Sequence, residues 1–203
     1  MKTSKNYIVI FALLITAGLF TKACGDEFIT RPSQGSLSED VLADANGVNT
    51  LLVGAYASLA QTGPGGPWEV GPSNWIYGSV LGTEAHKGSD AGDQIVINTL
   101  ASFNTTPSTT FLNNKWRAVY EGVNRANAVL SVLQDVPEDE ISASERAQIE
   151  AEARFIRGHL YFELRKLFKN VPYIDEETDA LTPQPNSEEI WPRIEADFQF
   201  AYD

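Results

Sequence analysis

At 203 residues the chain is long for one small domain and short for two. Its 43% hydrophobic, 10% aromatic and 21% charged residues exclude intrinsic disorder and a multi-span membrane protein, and its single cysteine excludes internal disulfides and any multi-cysteine metal site. The balance is acidic, 15 Lys and Arg against 27 Asp and Glu, which argues against an electrostatic grip on nucleic acid or an anionic lipid face.

Residues 1–23 have the three parts of a secretory signal: Lys2 and Lys5 at the start, an apolar centre from Tyr7 to Phe20, and the small residue Ala23 before Cys24. The uncharged stretch is close to the shortest spanning helix, so a plain membrane anchor is a rival reading, and an ordinary secreted protein with a free cysteine is another. A lone thiol directly after such a signal resembles the lipobox of bacterial lipoproteins, where the cysteine becomes the acylated N-terminus. Thr21 and Lys22 depart from the usual box, which has an aliphatic and a small residue there. Several acyl chains hold a protein far more firmly than one, at ~0.8 kcal/mol per CH2. Gly25-Asp26-Glu27 resembles the acidic cue that sends such lipoproteins to the cell surface. Cleavage before Cys24 removes three lysines and leaves 12 basic against 27 acidic residues, a net of −15. Residues 24–36 have no periodic apolar pattern and read as a membrane tether.

From residue 37 to 203 the pattern is helical with one long interruption. Ser36-Leu37-Ser38-Glu39 has the form of a capping box. Behind it Val41, Ala45, Val48, Leu52, Ala55 and Leu59 form one stripe. A second helix is predicted near Phe111 to Asp135, with Leu112, Trp116, Val119, Val123, Ala126, Leu130 and Leu133 in step and Pro137 as its stop. Ser142-Ala143-Ser144-Glu145 is another capping box, opening a third helix to about Phe168. Beyond Phe155 that helix is apolar on most sides, with Glu152, His159, Glu163 and Lys166 as its polar strip, and is expected to pack between neighbours. A fourth helix is expected to start late in the span from Ser187 to Pro192, since proline is tolerated in a first turn and costly deeper in. Its stripe, Ile190, Ile194, Phe198 and Ala201, calls for a cover, and nothing stops the helix before Asp203. The expectation is a chain incomplete at its C-terminus.

The interruption, Gln61 to Thr110, holds eight of the fifteen glycines and two of the four tryptophans. It is too long for a connector and is expected to carry turns, a short helix at Ser73 to Leu81 and a strand at Gln94 to Asn98. Long loops on a rigid scaffold are where binding function concentrates. His86 and His159 stand in no metal spacing; His159 and Glu163, one helical turn apart, read as solvated ion-pair partners. The turn Lys87-Gly88-Ser89-Asp90-Ala91-Gly92-Asp93 offers oxygens to a calcium ion but lacks the ligand series of an EF-hand. There is no G-x-S-x-G elbow, phosphate loop or dinucleotide fingerprint. The acids, including the linker Asp175-Glu176-Glu177, read as solvated, so no catalytic residue is assigned. Asn127 and Arg157 fall on apolar faces, and both are expected to be architectural: Asn127 bonding a neighbouring helix's backbone, Arg157 meeting a carboxylate or carbonyl.

Several segments in order resemble SusD/RagB-family outer-membrane lipoproteins. They are Gly54-Ala55-Tyr56-Ala57-Ser58-Leu59; Trp75-Ile76-Tyr77-Gly78 followed by Lys87-Gly88-Ser89-Asp90; and Trp116 with Tyr120, Val123, Asn127 and Leu130. Then come Glu152-Ala153-Arg154-Phe155-Ile156-Arg157-Gly158-His159-Leu160-Tyr161-Phe162, Val171-Pro172, and Ile194-Glu195-Ala196-Asp197-Phe198. Three departures stand out: Lys169-Asn170 where the family usually has a glycine, Gly82-Thr83-Glu84 in place of a more acidic segment, and Trp191-Pro192 near the last helix. Full members are more than twice this long. The resemblance implies a mainly α fold, an α-solenoid of tetratricopeptide-like helix pairs with a long irregular loop insertion. It implies a surface-facing, lipid-anchored outer-membrane binder without cofactor or metal. Such a protein passes oligosaccharides, or peptides, to a SusC-like TonB-dependent transporter. Family members stack sugar rings on aromatic side chains, which makes Trp68, Trp75 and Tyr77 in the loop candidates, against the plainer reading that they pack the loop onto the helices. The net charge favours an uncharged ligand. A lipid-anchored glycoside hydrolase with two close carboxylates and a generic tetratricopeptide scaffold are the alternatives.

Overall fold

The computed structural model describes residues 42–60, 75–88, 90–179 and 181–203. The signal, Cys24, the tether, the Ser36–Glu39 box and Trp68 lie outside the described residues. Within them the regular structure is helical: α1 (Ala45–Ala60), a π-helical turn (Trp75–Val80), α2 (Ile95–Ala101), α3 (Thr110–Asp135), α4 (Ala143–Phe168) and α5 (Trp191–Tyr202). No helix among these residues is long and apolar enough to cross a membrane.

The period-3.6 stripes become the core. Val48, Leu52 and Ala55 of α1 pack with Val119, Val123, Ala126, Leu130 and Leu133 of α3 and with Ile149, Ala153, Ile156, Leu160 and Leu164 of α4. Val41 lies outside the described residues; α1 begins at Ala45, where the Asp44 carboxylate accepts the Gly47 N–H at 2.7 Å as an N-terminal cap. Ser142 caps α4 as its box predicts, its hydroxyl accepting the Glu145 N–H at 3.1 Å. Arg146, one residue further on, donates to the carbonyls of Leu133 and of Val136 (2.7 Å), satisfying the open end of α3.

Side-chain pairs fix the helix directions. Trp116 meets Phe168 while Arg146 meets Leu133, so α3 and α4 run antiparallel. Ser58 faces Gly122 while Gly54 accepts from Arg125, so α1 opposes α3. Phe162 meets Trp191 while Phe155 meets Phe198, so α5 opposes α4. At Gly122 a Cβ would sit 2.8 Å from both Leu160 Cδ1 and Ser58 Oγ, so this glycine marks where α1, α3 and α4 come closest.

The first half of the α5 stripe is covered from within this chain. Ile190 and Ile194 are buried in the main core, and Phe198 packs half-buried on α4 beside Gly158. Ile190 and Ile194 are covered within the described residues, while Phe198 and Ala201 stay partly exposed. Pro192 occupies the first turn, as its cost elsewhere requires.

Between α4 and α5 the chain crosses the helices without secondary structure of its own, and side chains tie it down. Tyr120 Oη donates to the Pro172 carbonyl at 2.6 Å, and Asn127 Nδ2 donates to the Ile174 carbonyl at 3.0 Å. Tyr161 donates to the Ile174 carbonyl at 2.9 Å and accepts the Ile174 N–H at 2.6 Å. Asn127 is architectural as expected, but its backbone partner is this strap and not a helix. Arg157, 2% exposed, holds the strap and α5 together. Its guanidinium makes a fork to Asp197 at 2.8 and 2.7 Å, donates to Asn127 Oδ1 at 3.0 Å, and pairs with Glu176. Burial works against the guanidinium charge, and Asp197 with the neighbouring acids more than restores it. Glu176 is thus an ion-pair partner and not a solvated linker acid, its side chain only 11% exposed.

Two sequence expectations in the loop have different outcomes. The short helix near Ser73 to Leu81 forms, as a π-helical turn in which the Leu81 N–H reaches the Ile76 carbonyl at 3.2 Å. The strand at Gln94 to Asn98 does not: this segment enters α2, because Ile97 and Leu100 lie three residues apart on one helical face. They bury that face in a second small core with Ile76, Val80 and Phe111.

Lys169 ends α4 at φ 64° and ψ −73°, with the Asn170 N–H bonded to the Phe168 carbonyl at 2.8 Å. This is the rare, strained form of the γ-turn, on a residue with a Cβ. Glycine takes that conformation freely, so Lys169→Gly is expected to raise stability by about 1 kcal/mol in urea denaturation; an unchanged or lower midpoint refutes the strain.

A second prediction concerns the buried pair. Asp197→Ala leaves Arg157 short of its main partner and is expected to cost about 3 kcal/mol, whereas the double replacement Arg157→Met with Asp197→Leu costs distinctly less. Equal losses in the two proteins would show that the pair itself, and not an abandoned charge, carries the stability.

Candidate functional site

The π-helical turn and α2 are propped against the N-terminal part of α3, and α4 ends alongside. Between these elements lies a hollow of about 570 Å3. The turn contributes Tyr77 and Gly78, the segment after it Leu81 and Gly82, and α2 with its following residues Leu100, Phe103 and Thr105. α3 adds Leu112 and Lys115, and α4 adds Glu163, Lys166 and Leu167. A second hollow of about 520 Å3 shares Thr105 and Leu112 and is lined further by Pro107, Asn113, Trp116 and Phe168.

Tyr77 is the candidate that lines the larger hollow. Its hydroxyl donates to the Phe111 carbonyl at 2.8 Å, which locks the ring against α3. Trp75 is half-buried against the second core, in the packing role. Trp68 lies outside the described residues.

The polar side of the larger hollow joins residues that the sequence pattern assigns elsewhere. Lys115 is only 4% exposed, and its ammonium stands 5.6 Å from the centroid of the Tyr77 ring. Burial lowers its pKa below the ordinary lysine value, Glu163 opposes that shift and Lys166 adds to it. Glu163 accepts from Lys166 Nζ at 2.6 Å, so its ion-pair partner is Lys166 and not His159. Lys115 was legible in principle: it stands four residues from both Phe111 and Val119, inside an apolar stripe. Phe103 has no such signal. It follows α2 at φ 55°, a conformation uncommon for a residue with a side chain, and holds its ring 68% exposed at the hollow.

The oxygen-rich turn is occupied by the chain's own cation. Lys87 Nζ donates to the carbonyls of Asp90 (2.6 Å) and Asp93, and the Asp90 carboxylate accepts the Gly92 N–H at 2.8 Å. Among the described residues no group of three or more His, Cys, Asp or Glu is placed to hold a metal ion.

A helical frame of antiparallel pairs with an aromatic-walled hollow in an inserted loop defines a class of protein, and comparison with known proteins names it. Residues 48–201 match the SusD-like family model described as "Starch-binding associating with outer membrane". The chain belongs to the SusD-like family. It is 32% identical over 92 residues to SusD-like protein P2 of Formosa agariphila, a match covering 42% of this chain and 17% of that protein. A solved structure titled "Laminarin binding SusD-like protein" shares the fold, with a TM-score of 0.56 and 24% identity over 78% of this chain and 33% of that one. The chain thus spans a minor part of the relatives it matches.

Proposed function

We propose that this chain is the helical frame of a surface-exposed binding lipoprotein that captures oligosaccharides, or peptides in a variant of the role, for import through a SusC-like TonB-dependent transporter. The observation that carries the reading is the hollow walled by Tyr77 and Phe103 on a SusD-like helical frame. Aromatic faces suit the apolar faces of sugar rings, while donors and acceptors beside them suit the hydroxyls. The laminarin named for one relative and the starch named for the family point to glucans as the first ligands to try. Binding is favoured over hydrolysis because a glycosidase needs two facing carboxylates, and Glu163 is the single carboxylate among the described residues lining these two hollows.

In this reading Cys24 carries the acyl anchor, residues 1–23 are removed, and residues 24–36 lift the frame off the outer membrane. Oligomers of starch and laminarin titrated into the full-length protein are expected to bind saturably and release no new reducing ends. Tyr77→Ala is expected to weaken that binding about tenfold. Hydrolysis, or no saturable binding of any saccharide or peptide, overturns the binder reading. Replacing Cys24 by alanine is expected to shift the protein out of the outer-membrane fraction or leave an uncleaved precursor, and a SusC-type barrel is expected to co-purify with the native form. Normal processing and outer-membrane retention of the alanine variant would rule out the lipid anchor.

A further inference from the structure

The two hollows are neighbours, and the same short stretches of chain line both. Around the first two turns of α3, Leu112 and Lys115 line the larger hollow, while Asn113 and Trp116, each one position further on, line the smaller. One position is about 100° of helix rotation, so the two spaces flank the same stretch of α3. The end of α4 repeats the pattern, with Leu167 at the larger hollow and Phe168 at the smaller. After α2 the chain forms a rim that passes from Phe103 at the larger hollow to Pro107 at the smaller, and Thr105 and Leu112 belong to both. A ligand seated against Phe103 and Tyr77 therefore has a route over Thr105 and Leu112 into a second space of about 520 Å3.

The second space has its own chemistry. The larger hollow carries Lys115, Glu163 and Lys166, whereas no charged side chain among the described residues lines the smaller one. Trp116 is half-buried there, its ring centroid 4.8 Å from that of Tyr120 and 5.0 Å, edge to face, from that of Phe168. Its indole N–H meets no acceptor among the described residues, and no buried side-chain nitrogen or oxygen among them lacks a partner, so this donor is open to solvent. The exposed side chains of Asn113 and Thr105 likewise bond to no described residue. A charged ligand group would lose hydration in such a place without gaining a countercharge, and a purely apolar one would strand the amide and the indole donor. A neutral pyranose meets both demands, with apolar C–H faces for the aromatic rings and a hydroxyl edge for the polar groups.

We infer that the smaller hollow is a second subsite, for an uncharged sugar unit: an oligosaccharide held at Phe103 and Tyr77 runs over Thr105 and Leu112 and sets a later unit against Trp116 and Phe168, with Asn113 and the Trp116 N–H at its hydroxyls. The inference rests on the binder reading above and deepens it, because it makes the site selective for chain length. Once the first subsite is filled, contacts at the second form within one complex, so they raise affinity as the chain lengthens and add nothing after both are occupied. The uncharged lining agrees with the ligand preference that the net charge of −12 suggests.

The test titrates the full-length protein calorimetrically with linear neutral glucans of the starch and laminarin types, in a length series from the disaccharide upward. Affinity is expected to climb about tenfold over the first few units and then level off. Asn113→Ala alters an exposed side chain where folding is not at stake. It is expected to weaken the longest oligomers about threefold and to leave the shortest one that binds unchanged. Trp116→Phe keeps a ring against Phe168 but removes the N–H, and is expected to show the same length-dependent loss; a thermal melt checks its fold, and Asn113→Ala decides alone if that fold is lost. A flat length series, or losses in Asn113→Ala and a folded Trp116→Phe that are absent or equal for short and long oligomers, refute the second subsite while the binder reading stands. So does binding confined to peptides or charged saccharides. Absence of binding to every saccharide and peptide tested refutes both.

Discussion

The fork between Arg157 and Asp197 is the contact on which the second half of the molecule depends. Two charges buried at 2% exposure each are tolerable only when each satisfies the other, and their geometry at 2.7 and 2.8 Å does so. The pair also has directional consequences. It sets α5 on α4 at the level of Gly158, where a Cβ would come within 3.2 Å of Asp197 Cβ and 3.3 Å of the Phe198 ring. Through Asn127 and Glu176 the same guanidinium reaches α3 and the strap. Apolar packing alone would let three antiparallel helices slide along one another; a planar fork with fixed partners picks one register. No buried side-chain nitrogen or oxygen among the described residues lacks a hydrogen-bond partner, so the polar core is closed.

That rigidity positions a site built mostly from other pieces. The hollow takes its polar wall from α3 and α4, whose spacing the frame fixes, and its apolar wall from the π-helical turn and α2, which stand on Phe111 at the start of α3. Tyr77 bridges the two halves through its bond to the Phe111 carbonyl. An inserted element held at one helix end can change in sequence while the frame keeps its geometry, which is the usual division of labour between scaffold and binding loop.

The frame was legible in the sequence because helices announce themselves locally. The stripes of α3 and α4, the Ser142 cap, the proline in the first turn of α5 and the need of Arg157 for a carboxylate or carbonyl partner all follow from spacing and residue chemistry. The readings that failed depended on long-range contacts. Ile95-Val96-Ile97 has the β-branched look of a strand, yet tertiary burial of Ile97 and Leu100 against Ile76 and Val80 overrides that preference. Glu176 looks like one of three solvated acids until a residue 19 positions earlier is placed beside it. Much the same holds at the hollow: Tyr77 stood out as an aromatic in the loop, whereas Phe103, Lys115, Glu163 and Lys166 acquire a shared address only when α2, α3 and α4 are assembled.

The apolar interior is divided in two. The large core joins α1, α3, α4 and α5, and the small one, centred on Ile76, Val80, Ile97, Leu100 and Phe111, belongs to the inserted region. Free energy of opening need not be shared equally between such clusters, because the smaller one buries fewer side chains and meets the frame at a single helix end. A bound ring touching both walls of the hollow would tie the small core more firmly to the frame. Such a tie would be felt first by the backbone of Trp75–Val80 and Ile95–Ala101, which carry the apolar wall.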